Sequence, residues 1–132
     1  MSATVYLLVP ALFCQIPENP DESIRELPAV GEVESFQWNN RVLLVHADRD
    51  DERLLAFARL WADTNCLLGA EERHLLLLWV PAEREGGFRI SLIGKDGGVK
   101  NEWREPATPT EVFSLIDAMP MRREEMREES VR

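Results

Sequence analysis

His46, Asp48, Asp50 and Asp51 stand close together in a chain of 132 residues, and an imidazole with carboxylates at short spacing is a donor set for a divalent metal ion. Strand alternation turns His46 and Asp48 to one side at best, and the glycine that tightens a calcium loop is missing from this stretch. A plainer account serves the same residues: Asp48 or Asp50 caps a helix, the other acids complement its positive end, and His46 packs in a sheet. Short motifs of this kind often match by chance. The plainer account is therefore expected, with His46, Asp48, Asp50 and Asp51 kept as the metal candidates and no cofactor assigned.

The other chemistry-bearing types are sparse. Cys14 and Cys66 are too far apart for a C-x-x-C redox or zinc motif. Lys95-Asp96-Gly97-Gly98 lacks both the glycine spacing of a phosphate loop and a helix after it, so it is expected to be a hairpin turn. Trp38, Trp61, Trp79 and Trp103 fall in separate elements and read as core and rim packing, with Trp103 the one placed for a partner contact. Arg122, Arg123 and Arg127 alternate with Glu124, Glu125, Glu128 and Glu129, which predicts a solvated helix with i, i+3 and i, i+4 pairs rather than a binding patch.

Composition bounds what these residues can serve. With 45% hydrophobic and 30% charged residues, and only 7 Gly and 8 Pro, the chain has the make-up of one globular domain. Its 15 basic and 24 acidic residues give a net charge of -9, which disfavours nucleic acid and anionic lipid as partners and leaves a protein partner. The longest apolar runs, Ala3 to Phe13 and Leu75 to Val80, fall short of the ~18 residues of a membrane span. Met1 to Gln15 is apolar enough for the core of a degenerate signal segment, but the first basic residue is Arg25, so an N-terminal strand or docked arm is preferred. Pro17, Pro20 and Pro28 mark residues 17–37 as a tether. The expected organisation is an arm or tether over residues 1–32, a domain over 33–128 and a charged tail over 129–132.

Positioning these residues falls to a short series of elements. VLLVHA after Arg41 is a buried central strand, and Leu54, Phe57, Ala58, Trp61 and Ala62 have the spacing of an amphipathic helix running from Asp50 to Asn65. Leu67 to Arg73 reads as a connection with Gly69 as the helix stop, and HLLLLWV over residues 74–80 as a second strand parallel to the first. Phe88 to Ile93 and Val99 to Arg104 flank the turn as a hairpin, the latter a charged edge strand. Thr108-Pro109-Thr110-Glu111 starts a second helix that runs to about Met119, where Pro120 breaks it. The predicted fold is α/β, an α+β sheet with helices on its faces: a thioredoxin-like, mixed four-stranded sheet with strand one between strands two and three. The connection from strand two to strand three, Pro81 to Gly87, is too short for the helix usual there.

LLVHADRDDERL after Arg41, ISLIGKDGGVKNEW in the hairpin and SLIDAMPMRREEMR near the end resemble a bacterial domain-of-unknown-function family, number 4174, over roughly Val33 to Glu128. The resemblance implies the P-DUDES group, whose animal relatives include equarin and sushi-repeat extracellular proteins. It also implies a thioredoxin- or peroxiredoxin-like fold without an assigned activity. Export is usual in that group, which suggests a periplasmic or secreted location, whereas the missing basic n-region suits a cytoplasmic one.

Thioredoxin-fold enzymes carry the reactive cysteine in the first turn of the helix after strand one, where the helix dipole lowers the thiol pKa. Here that stretch is Ala47 to Arg53 and holds no cysteine; Cys66 is expected near the far end of the same helix, as a small buried apolar residue. The proline usual before strand three is replaced by Gly86-Gly87. The expected function is a non-catalytic thioredoxin-like module acting through protein or small-ligand contacts at the sheet edge or the loop end near His46. The alternatives are a metal-assisted enzyme at His46 and the aspartates, or a weak thiol oxidoreductase at Cys66.

Overall fold

The computed structural model of the protein describes residues 4–8, 29–48, 51–81 and 87–131. Their strands are β1 (Thr4–Leu7), β2 (Ala29–Glu32), β3 (Arg41–Ala47), β4 (Leu75–Pro81), β5 (Arg89–Ile93) and β6 (Val99–Trp103). The α-helices are α1 (Glu52–Trp61), α2 (Thr64–Glu72), α3 (Pro109–Asp117) and α4 (Pro120–Val131), and a 3-10 turn spans Val33–Phe36.

β3 is the centre of the sheet because RVLLVHA is apolar on both faces and finds a partner on each side. It runs parallel to β4, Arg41 opposite Leu75 through Ala47 opposite Pro81, and antiparallel to β5, Val42 opposite Ile93 through His46 opposite Arg89. β6 completes the hairpin as expected. The predicted arrangement of strand one between two and three is thus present as β4-β3-β5-β6. The four-strand count is corrected to six in the order β2-β1-β4-β3-β5-β6. Without β1, β4 would present unpaired backbone groups beside buried leucines. Tyr6 and Leu7 pair with Trp79 and Leu78, and β2 adds to the outer side of β1. The sheet therefore draws on residues expected to be an arm; Cys14 and tether residues 17–28 lie outside the described residues.

Strand alternation divides the core. Leu43, Val45 and Ala47 of β3, Leu77 and Trp79 of β4 and Ile90 and Leu92 of β5 face Leu54, Phe57 and Trp61 of α1 and Val112 and Ile116 of α3. The other face buries Val5, Val42, Leu44 and Leu78, with Val33 and Phe36 of the 3-10 turn against them. Among the described residues, α-helices pack on one face, not on both as expected. The buried tryptophans have partners for their N–H groups: Trp61 donates to the Ala107 carbonyl at 3.1 Å and Trp79 to the Ala47 carbonyl at 2.9 Å.

The helix boundaries differ from expectation for local reasons. The single helix from Asp50 to Asn65 is two, because the Asp63 side chain accepts the Asn65 N–H at 2.7 Å and caps a new helix where the old one would have continued. Gly69 is no stop but lies within α2, where a Cβ would stand 2.9 Å from the Phe113 ring of α3. The left-handed residue that ends α2 is His74, with φ 53°. Thr108 caps α3 as predicted, accepting the Glu111 N–H at 3.2 Å, and Pro120 starts α4 instead of merely breaking a helix.

Candidate functional site

At the loop end of β3 the described candidates are His46, Asp48 and Asp51. By alternation His46 shares a face with Val42 and Leu44, away from the helices. Its Nε2 lies 3.4 Å from Arg89 Nη2, and a guanidinium only donates, so Nε2 accepts. Burial and the Arg89 charge hold its pKa below the usual histidine range, against the opposing pull of Glu102. Asp51 caps α1, accepting from the Arg53 N–H at 2.8 Å and from its guanidinium at 3.0 and 3.1 Å. Arg53's hydrogen bond holds the Asp51 pKa down. The Asp48 carbonyl accepts the Asp51 N–H at 3.0 Å, and Asp50 lies outside the described residues. Among the described residues no three His, Cys, Asp or Glu side chains come together as a metal site would need.

Cys66 is corrected in place. It is the third residue of α2, not the far end of a longer helix, and is half-buried. Burial and then the Asp63 charge push its thiol pKa up, which disfavours the reactive thiolate.

The turn between β5 and β6 is built residue by residue. Gly97 takes φ 86°, a conformation that only glycine adopts without strain. The Asp96 carboxylate accepts from the Gly98 N–H at 2.9 Å and from Lys100 Nζ at 2.8 Å. Gly94 makes room for the Lys100 stem, since a Cβ there would lie 2.6 Å from Lys100 Cε. From the other side Gln37 donates to the Asp96 carbonyl at 2.8 Å and the Trp38 N–H to the Lys95 carbonyl. Trp38 does so at φ 73° with 63% of its surface exposed, the one tryptophan that leaves both core and rim.

Lys95, by contrast, points inward. The alternation that buries Leu43 and Val45 also buries Arg41 on the helix side of the sheet, and α4 supplies its countercharge. Arg41 makes a two-pronged contact with Glu125, 3.2 Å on each side, and donates to the Arg73 carbonyl at 2.8 Å. Lys95 donates to the same Glu125 carboxylate and to His74 Nδ1. Arg122, 2% exposed, stands 3.5 Å from Glu125 and Glu72 and 3.6 Å from Asp117, whose carboxylate is gripped by Arg73 at 2.9 Å on both oxygens. Arg73's hydrogen bond holds Asp117 below the usual carboxylate range. Burial alone would raise the Glu125 pKa, but hydrogen bonds from Lys95 and Arg41, with their charges, take it down to about 2.

Three cations thus converge on one carboxylate, and Arg41 Nε and Arg122 Nε are buried without a hydrogen-bond acceptor. In front of them lies a cleft of about 300 Å³, with Arg41, Lys95, Asp96 and Lys100 on one side and Met119, Pro120 and Met121 on the other. A second groove, of about 410 Å³, is walled mainly by Leu7, Leu8, Leu67, Leu75 and Leu77 and gathers no comparable set of charges.

The family model for a domain of unknown function, DUF4174, matches residues 82–125. Over these residues, a third of the chain, the protein is similar to that family. The match spans the β5–β6 hairpin, α3 and the first turns of α4, ending on Glu125, so Lys95, Asp117, Arg122 and Glu125 are inside it and Arg41 and Arg73 outside. It includes the GKDGG and IDAMPMRR segments and not LLVHADRDDERL. No curated protein and no solved structure matches the chain.

The expectations centred on the sheet edge and the loop end near His46 and read α4 as solvated, whereas the buried charges gather under the hairpin turn, where α4 supplies Glu125 and Arg122. The missed signal was available: Arg41 has the parity of Leu43 and Val45, so it had to be buried, and a buried guanidinium needs a carboxylate. Glu125 and Arg122, three residues apart on one helix face, are that complement.

Proposed function

We propose that the chain is a non-catalytic binding module on a thioredoxin-like frame, taking its ligand in the cleft under the hairpin turn. The carrying observation is that the GKDGG and IDAMPMRR segments, distant in sequence, meet around this cleft and bring to it cations, a tied carboxylate and apolar side chains, with no cysteine, serine or threonine among its described lining residues. The strand order β4-β3-β5-β6, with α1 following β3, supports the thioredoxin-like frame. The position of the reactive thiol in that frame, the first turn of α1, is taken by Asp51 locked to Arg53. Cys66 at the start of α2 is the rival nucleophile, and its raised pKa argues against it.

Insulin reduction and peroxide consumption, measured on the full chain and on Cys66→Ser, test this reading. Both proteins are expected to show only background rates. Turnover by the wild type that Cys66→Ser abolishes would make the chain a thiol oxidoreductase.

A further inference from the structure

We propose that the cleft under the hairpin turn binds a small organic anion, a carboxylate or phosphate group carried on a short apolar body. The inference rests on the binding-module reading and adds the class of ligand.

The first reason is charge. In a chain of net charge -9, the lining of this cleft is inverted: Arg41, Lys95 and Lys100 against the single acid Asp96. Asp96 is already committed, to Lys100 and to the Gly98 N–H. Behind the lining, Arg122 is answered by Glu72, Asp117 and Glu129 as well as Glu125, and Asp117 is held by Arg73, whereas Arg41 and Lys95 share the one carboxylate of Glu125. Two buried cations on one carboxylate are costly unless a further acceptor reaches them. Arg41 is 1% exposed and its Nε has no acceptor. An anion entering the cleft supplies the missing charge.

The second reason is construction. Lys100 folds back over Gly94, and any side chain at that position would push it away, since a Cβ would come within 2.6 Å of Lys100 Cε. The glycine thus makes room for the Lys100–Asp96 pair of the turn, since a Cβ would also lie 3.2 Å from Asp96 Oδ1, and this pair stands at the mouth of the cleft. The third is shape. The opposite wall, Met119-Pro120-Met121, presents two adaptable thioethers and a rigid ring to the body of a ligand. At about 300 Å³ the space is at the small end of ligand sites, which excludes a polymer as the occupant.

The test is a backbone-amide NMR titration of the full chain with inorganic phosphate, butyl phosphate and butanol at constant ionic strength, to about 10 mM. Butyl phosphate is expected to shift the amides of Lys95, Asp96 and Met121 saturably, inorganic phosphate to move the same amides with weaker affinity, and butanol to leave them in place. Lys100→Gln, at an exposed side chain whose loss leaves the core intact, should weaken butyl phosphate roughly three- to tenfold, and Lys100→Arg should restore it. If butanol saturates these amides as well as butyl phosphate does, or Lys100→Gln binds like the wild type, the anion inference is overturned while the binding-module reading stands. Absence of any saturable shift also overturns the anion inference. The binding-module reading falls separately, on Cys66-dependent turnover.

Discussion

Glu125 is the carboxylate on which Arg41, Lys95 and Arg122 converge. It faces Arg41 and Lys95, both almost fully buried, and each would be left without a carboxylate in its absence. Its pKa in the folded chain, about 2, lies below the ordinary 4.5. As pH falls, the unfolded chain therefore takes up the proton first, so the stabilisation is complete above about pH 4.5 and is lost on descent through the folded value. Linkage puts that increment at about 3 kcal/mol. Glu125→Gln keeps the shape and removes the charge, and is expected to cost about 3–5 kcal/mol near neutral pH, because two cations stay buried unpaired. Urea unfolding of both proteins from neutral pH down to acid checks this. Their difference should be large at neutral pH and shrink as pH falls below that of the free carboxyl; a constant difference would reduce Glu125 to a packing role. Half of this was legible in the sequence. Arg41 announces its burial by its parity with Leu43 and Val45, whereas nothing local separates Glu125 from Glu124, Glu128 and Glu129, since only the docking of α4 decides which carboxylate meets the buried cations.

The helices show where local signals suffice and where tertiary contacts override them. Thr108 and Pro109 start α3 as their types demand, because capping is chemistry among near neighbours. Gly69 has the sequence signature of a helix stop, yet α2 runs through it, and its use is known only from α3: Phe113 lies where a side chain would be. Helix propensity favours Gly69→Ala by about 1 kcal/mol. The opposing effect is larger, because the Phe113 ring cannot retreat. Trp61 packs on it in a T-shaped contact at a centroid distance of 5.4 Å, and the Arg73 guanidinium sits 4.2 Å from its centroid. Forcing a methyl group into such a contact costs typically 1–3 kcal/mol. Gly69→Ala is therefore expected to be net destabilised by about 1 kcal/mol, read from the shift in denaturant midpoint. A gain in stability would mean that α2 and α3 are free to slide apart, and the tight crossing described above would be wrong.

At the scale of the whole molecule, the sheet has a centre that was legible and a flank that was not. β3 to β6 come from residues 41–103, where alternation, an Asp-Gly turn and a helical interval specify each neighbour in turn. β1 lies where an N-terminal strand or docked arm was expected and β2 in the expected tether; each is four residues long, and β1 pairs with β4 across about seventy positions, so no local pattern announces their places in the sheet. This difference should persist in the dynamics. Every β3 residue except His46 is buried, and β4 and β5 hold the strand on both sides, so its amides open only when the sheet comes apart. β6 has one neighbour, and its residues are exposed apart from half-buried Trp103. In native-state hydrogen exchange the amides of Leu43, Leu44 and Val45 are expected to be slowest, at rates set by global unfolding. The β6 amides not bonded to β5 are expected to exchange at least ~100-fold faster, since local opening releases them. The alternating Lys100 and Glu102 make a poor template for another strand, so the edge is expected to stay open. Protection of β6 equal to that of β3 would mean that the edge is covered in solution, and the charged strand would then be an interface and not a boundary.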